Sequence, residues 1–90
     1  MPQTIVDPEE LRHFAANLKK FNNDVRDRLS GLSGQLIALG KTWRDQENKK
    51  FAEDFEQHMR AISHFIQVTE EHIPFLLRKA EAIERYLQQR

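Results

Sequence analysis

Cysteine is absent from this 90-residue chain, so disulfides, thiolate metal sites and thiol nucleophiles are excluded together, and composition carries no mark of a redox compartment. Charge of one sign is lacking as well. Fourteen Lys and Arg balance 14 Asp and Glu, which leaves no global field to draw the protein to nucleic acid or to an anionic membrane. No apolar run is long enough to span a bilayer. The opening Met1-Pro2-Gln3-Thr4-Ile5-Val6-Asp7 has no basic region followed by an apolar stretch, the pattern of a cleavable secretory signal. A cytoplasmic location is therefore expected, or export by a route that reads something other than a cleavable signal. Serine is confined to Ser30, Ser33 and Ser63, and no glycine-rich phosphate loop occurs. Without a nucleophile, base and oxyanion set at workable spacing, no catalysis, cofactor or small-molecule substrate is expected.

What is present is helical periodicity on both sides of one punctuated stretch, Leu39-Gly40-Lys41-Thr42-Trp43-Arg44-Asp45, which holds the only tryptophan. Gly40 can take the left-handed conformation that ends a helix, and Thr42 followed three residues later by Asp45 has the spacing of a capping box. The reading is a single all-α domain, an antiparallel hairpin with helix 1 over about 8–39, a turn at about 40–42 and helix 2 over about 43–89. Trp43 is expected to lie across the end of the first arm and cover apolar surface that the turn leaves open.

Residues up to Val6 read as a short tail. Asp7-Pro8-Glu9-Glu10 then supplies an N-cap, a proline at the first helical position and acids in the first turn. Leu11, Phe14, Leu18, Phe21, Val25, Leu32 and Leu39 recur at coiled-coil spacing and predict the seam of the first arm. Arg28 and Gln35 fall in slots of that seam, and Leu29 and Leu36 one place on suggest that the stripe rotates. The weak helix formers Ser30-Gly31-Leu32-Ser33-Gly34 predict either a bend or a close backbone approach.

In the second arm the spacing continues through Phe51, Phe55, Met59, Ile62, Ile66, Ile73, Leu76, Ala80, Ile83 and Leu87. Phe65 beside Ile66, and Leu77 beside Leu76, widen its apolar face beyond what one partner helix covers. Pro74 predicts a kink. Pairing about a turn at 40–42 sets Leu11 near Glu71–Ile73, which leaves the segment after Pro74 without its own chain to pack against. Phe65, Ile66, Phe75, Leu76, Leu77, Ala80, Ile83, Tyr86 and Leu87 are accordingly expected to form a dimer or partner interface. Two copies would complete an elongated four-helix bundle, giving a homodimer; a heterodimer with a related hairpin and the docking of a larger protein partner are the alternatives.

The other candidate chemistry is sparse. Glu10 and His13 have the spacing of a helical metal-ligand pair, with Glu70, Glu71 and His72 as conceivable partners across the hairpin, but one such element does not make a di-metal site and no metal is assigned. His58 and His64, six apart, do not share a helical face. Lys41, Arg44, Lys49 and Lys50 gather near the turn, diluted by Asp45 and Glu47, and read as a solvated turn rather than a nucleic-acid patch.

Thr42-Trp43-Arg44-Asp45-Gln46, followed by Phe51 and Phe55, resembles the turn of the WXG family, the small helical hairpins associated with type VII secretion. Asp45 stands where the family's defining glycine falls, which resembles a branch whose turn reads Trp-Arg-Asp. The family's export signal, a tyrosine followed four residues later by an acid, would use Tyr86, but the fourth residue on is Arg90. The resemblance implies a hairpin that pairs as a homodimer or heterodimer and binds partners rather than catalysing a reaction.

Overall fold

Asp7 starts the first helix. In a computed structural model that describes residues 6–89, its carboxylate accepts the Glu9 N–H at 2.9 Å from an extended backbone, and Pro8 occupies the first helical position. Residues 1–5 of the N-terminal tail and Arg90 lie outside the described residues. Helix α1 runs Pro8–Leu39 and helix α2 runs Gln46–Gln88. The two lie antiparallel in a rod of 68 × 22 × 18 Å, close to the ~65 Å length that α2 has at 1.5 Å per residue.

The turn differs from the expectation in three ways. Gly40 keeps right-handed helical angles, φ −63° and ψ −14°, and the chain leaves α1 through successive tight bonds, Lys41 N–H to Ala38 O, Thr42 N–H to Leu39 O and Trp43 N–H to Leu39 O. Thr42 caps nothing, because its hydroxyl donates back to Leu39 O at 3.3 Å. Asp45 alone is the N-cap of α2, accepting Asn48 N–H at 3.1 Å, so α2 begins three residues after Trp43.

The register differs from the expectation by more than the longer turn accounts for. Arg12 pairs with Glu84 at 2.7 Å and Asn22 reaches Thr69 and Glu70 at 3.0 Å, so the first turn of α1 lies beside residues 80–84 rather than 71–73. One face of the segment after Pro74, through Leu76, Ala80 and Ile83, packs against its own chain, and Ala80 is fully buried. Helix α2 passes through Pro74 as one continuous helix; the ring sits on the exposed side, where the Glu70 carbonyl it leaves without an amide partner can face water. Helix α1 is also unbroken. Neither Gly31 nor Gly34 has anything within 4 Å of where a side chain would start, so both are tolerated weak spots rather than sites of close approach.

The seam of α1 runs through Pro8, Leu11, Ala15, Leu18, Asn22, Val25, Leu29 and Leu36, all buried or half-buried. It does not rotate along the helix. The expected Phe14 and Phe21 lie one place off this line and stay 57% and 52% exposed. On α2 the seam is Ala52, Phe55, Met59, Ile66, Thr69, Ile73, Leu76, Ala80 and Ile83. Alanines at positions 15 and 80 let the helices come close at the open end, and the larger rings are excluded to the flank.

Candidate partner-binding face

The two sides of the seam are chemically opposite. On one flank Arg12 is held between Glu9 and Glu84, and Arg26 sits 3.6 Å from Glu70. Glu70 also accepts Asn22 Nδ2 at 3.0 Å. Asn22 itself is buried among apolar neighbours, its Nδ2 shared between Glu70 and Thr69 and its Oδ1 without a partner among the described residues. A buried amide of this kind favours one register over slipped ones, because a slip strands it against aliphatic side chains. The seven-residue line Ala15, Asn22, Leu29, Leu36 carried the signal for this layer, but the more apolar line through Phe14 and Phe21 outweighed it in the sequence reading.

These ion pairs set an acid dependence. The Arg12 hydrogen bond holds the Glu84 carboxyl below its ordinary 4.5, and the Asn22 hydrogen bond does the same for Glu70, opposed by burial and helped by Arg26. Arg12 is correspondingly raised, chiefly by Glu84. Because the folded carboxyls release protons more readily than unfolded ones, their stabilisation is fully present above pH 4.5 and is lost as pH falls through the lowered folded values. Urea midpoints should hold level from pH 7 to about 5.5 and decline below about 4.5, with a smaller decline in high salt because the pairs are solvent-accessible. Equal midpoints at pH 6 and pH 3.5 would show that the pairs contribute nothing.

On the opposite flank no ion pair among the described residues closes the seam. The residues one place before the seam line of each helix share this side, Phe14, Phe21, Arg28 and Gln35 from α1 with Phe51, His58, Phe65, His72, Lys79 and Tyr86 from α2. Phe14, Phe21, Phe51, Phe65 and Tyr86 on this flank, with Phe75 beside it, make six of the eight aromatic side chains of the chain, each about half exposed. The buried hydrophobic core, by contrast, is Ala15, Ile66 and Ala80.

The expected interface residues divide accordingly. Ile66 and Ala80 are buried within the hairpin and Leu76 and Ile83 half-buried there, spent on packing against α1; Phe65, Phe75, Leu77, Tyr86 and Leu87 remain exposed. Leu77 lies on the ion-paired flank. At the turn, Trp43 is half-buried, its ring 6.1 Å from that of Phe51, which stacks on Phe55 at 5.9 Å. Such pairs add about 0.5–1.5 kcal/mol each beyond area burial. Arg44 folds back, its Nε donating to Lys41 O at 2.9 Å.

His13 is not brought to a second ligand: Glu70 is occupied by Asn22 and Arg26, and among the described residues no group of three His, Asp or Glu could hold a metal ion. His58 Nδ1 lies 2.9 Å from the Asp54 carbonyl on its own helix. No described helix is long and apolar enough to cross a membrane.

Solved structures share this architecture. The secreted protein EsxB of Bacillus anthracis strain Sterne is 26% identical over 96% of this chain and 98% of its own, with a TM-score of 0.77. A structure of the wild-type EsxB in space group P21 is 27% identical over 91% of this chain and 94% of its own, with a TM-score of 0.76. No curated protein matches the sequence. The family model for proteins of 100 residues with WXG matches residues 3–86, nearly the whole chain, and with the hairpin and its Trp43 turn in place the chain belongs to the WXG100 family.

Proposed function

We propose that this protein is a non-enzymatic, partner-binding hairpin of a type VII secretion system, exported as a substrate or acting as an adaptor for one. The observation that carries the proposal is the unclosed flank. A chain whose fully buried hydrophobic side chains are Ala15, Ile66 and Ala80 exposes six aromatic rings, five of them along one side of its seam, and a continuous face of that kind is a protein-binding surface. Membership of the WXG100 family and likeness to a protein described as secreted support the secretion link. Dimers are typical of the family, and pairing across this flank covers Phe14, Phe21, Phe65 and Tyr86 at once.

The turn is a second surface. Thr42, Trp43, Arg44, Asp45 and Phe51 sit at one tip of the rod, which side-by-side pairing leaves accessible to a larger partner. The mechanism is presentation: a rigid rod holds an apolar flank and a structured tip in fixed relation, and binding needs no conformational change in the hairpin.

Export is tested by expressing the tagged chain in cells with an intact type VII machine and in the same cells with its ATPase inactivated. The protein is expected in the culture fluid of the first and only in the cell pellet of the second. Retention in both favours a cytoplasmic scaffold that kept the hairpin, a second reading supported by Asp45 in place of the family's glycine and Arg90 in place of an acid four residues after Tyr86.

A further inference from the structure

Cross-seam pairs on the ion-paired flank follow a regular ladder that stops before the turn. Arg12 meets Glu84 and Arg26 meets Glu70, so the ladder steps from 12 to 26 on α1 while it steps from 84 to 70 on α2. The same step brings position 40 level with position 56, a glycine across from an acid. Gly40 and Glu56 line one groove there, with Ser33 and the half-buried seam side chains Leu36, Phe55 and Met59. Among the described residues no cation crosses the seam to Glu56. Its carboxylate turns to Arg60 on its own helix, where both side chains stay mostly exposed, 63% for Glu56 and 74% for Arg60. An exposed pair of this kind yields its carboxylate readily to a better-placed cation.

The groove has the size and chemistry of a docking site. Its volume of about 480 Å³ falls within the ~300–1,000 Å³ of ordinary binding pockets. Ile37 at its edge is 73% exposed, more than any other large apolar side chain described, and belongs to neither the seam nor the aromatic flank. Leu36 and Gly40 are one helical turn apart, as are Met59 and Glu56, so the apolar floor and the acid are separated by about 5–6 Å along the rod. We propose that this groove docks a basic amphipathic helix of another protein. That helix seats a large aliphatic side chain against Leu36, Ile37 and Met59, and lays an Arg or Lys over Gly40 against Glu56. Residues three or four apart on one helix face supply both groups at that separation. The incoming cation completes the ladder where α1 has no side chain to offer, in the role that Arg12 and Arg26 fill on the earlier layers. The site lies across the seam from the aromatic flank and stays open whatever covers that flank.

The test uses the full isotope-labelled chain and two synthetic helical peptides, alanine-rich and capped at both ends, carrying Leu with Arg or Leu with Glu at i and i+4. In chemical-shift titrations the Leu/Arg peptide should move the amides of residues 33–40 and 52–59. The Leu/Glu peptide should bind about tenfold more weakly, since it sets like charges together. Glu56→Gln, at an exposed position, should abolish that preference while leaving the rest of the spectrum unchanged. Arg60→Ala frees the carboxylate and should tighten the Leu/Arg peptide. Equal affinity for the two peptides, a preference that survives Glu56→Gln, or weaker binding to Arg60→Ala would each overturn the proposal. So would shifts confined to the aromatic flank, or none at millimolar peptide. Each of these results leaves the export proposal to its own experiment.

Discussion

Replacing Ile66 by alanine is expected to lower unfolding stability by about 2–5 kcal/mol, among the largest effects of any single substitution in this chain. Ile66 is 1% exposed and is the largest fully buried apolar side chain; the other buried hydrophobic positions, Ala15 and Ala80, have little to lose. Truncation removes three carbons from the middle of the seam, where α1 and α2 are held rigidly on both sides and cannot collapse inward. Against a total of about 5–15 kcal/mol for a domain of ordinary stability, a loss of that size leaves a substantial unfolded fraction at 37 °C. Urea denaturation followed by circular dichroism, at one protein concentration because pairing adds to apparent stability, measures it. Phe65→Ala is the matched control. Its ring, one residue away, is half exposed, so it should weaken association more than the hairpin. If Ile66→Ala costs under about 1 kcal/mol, the seam is softer than its burial implies.

The second large effect has the opposite sign. Pro74→Ala is expected to stabilise the chain by up to about 3 kcal/mol, since an interior proline forfeits one helical hydrogen bond and crowds the carbonyl four residues back. Helix α2 already runs unbroken through this position, and the ring lies on the exposed side away from α1, so alanine restores the amide to Glu70 without opening a cavity. The same denaturation experiment reads the gain, and light scattering of the variant shows whether association survives. A neutral or destabilising result would mean that Pro74 shapes the helix for its partner, and weakened dimerisation in that variant would locate the requirement.

The sequence carried the hairpin with little ambiguity, but not the start of its second helix. Asp7-Pro8 and Asp45 are strong local start signals, long 3-and-4 spacing leaves no competing strand pattern, and the lone tryptophan beside a glycine marks the reversal. Turn chemistry was less legible. Gly40 permits a left-handed conformation but does not require one, and Asp45 serves equally as the end of a capping box or as the cap itself; the offset of the two helices along the rod, which removed the expected overhang, is larger than the change in turn length and is not set by the turn residues alone.

Composition and periodicity determined by themselves that this chain is all-α, non-membrane-spanning along its described helices, free of thiol chemistry and more apolar on one arm than one partner can cover. Those properties follow from residue type and from a helical repeat that is the same in every context. Which of two adjacent apolar lines becomes the seam was decided by the tertiary structure alone. Hydrophobicity ranks Phe14 and Phe21 above Ala15 and Asn22, but two helices approach closely only where side chains are small, and the pairs Arg12–Glu84 and Arg26–Glu70 close only one of the two flanks. Rotating α1 by the 100° between neighbouring residues buries one line and exposes the other. The choice depends on what the second helix presents across the gap, and no local window of sequence contains it.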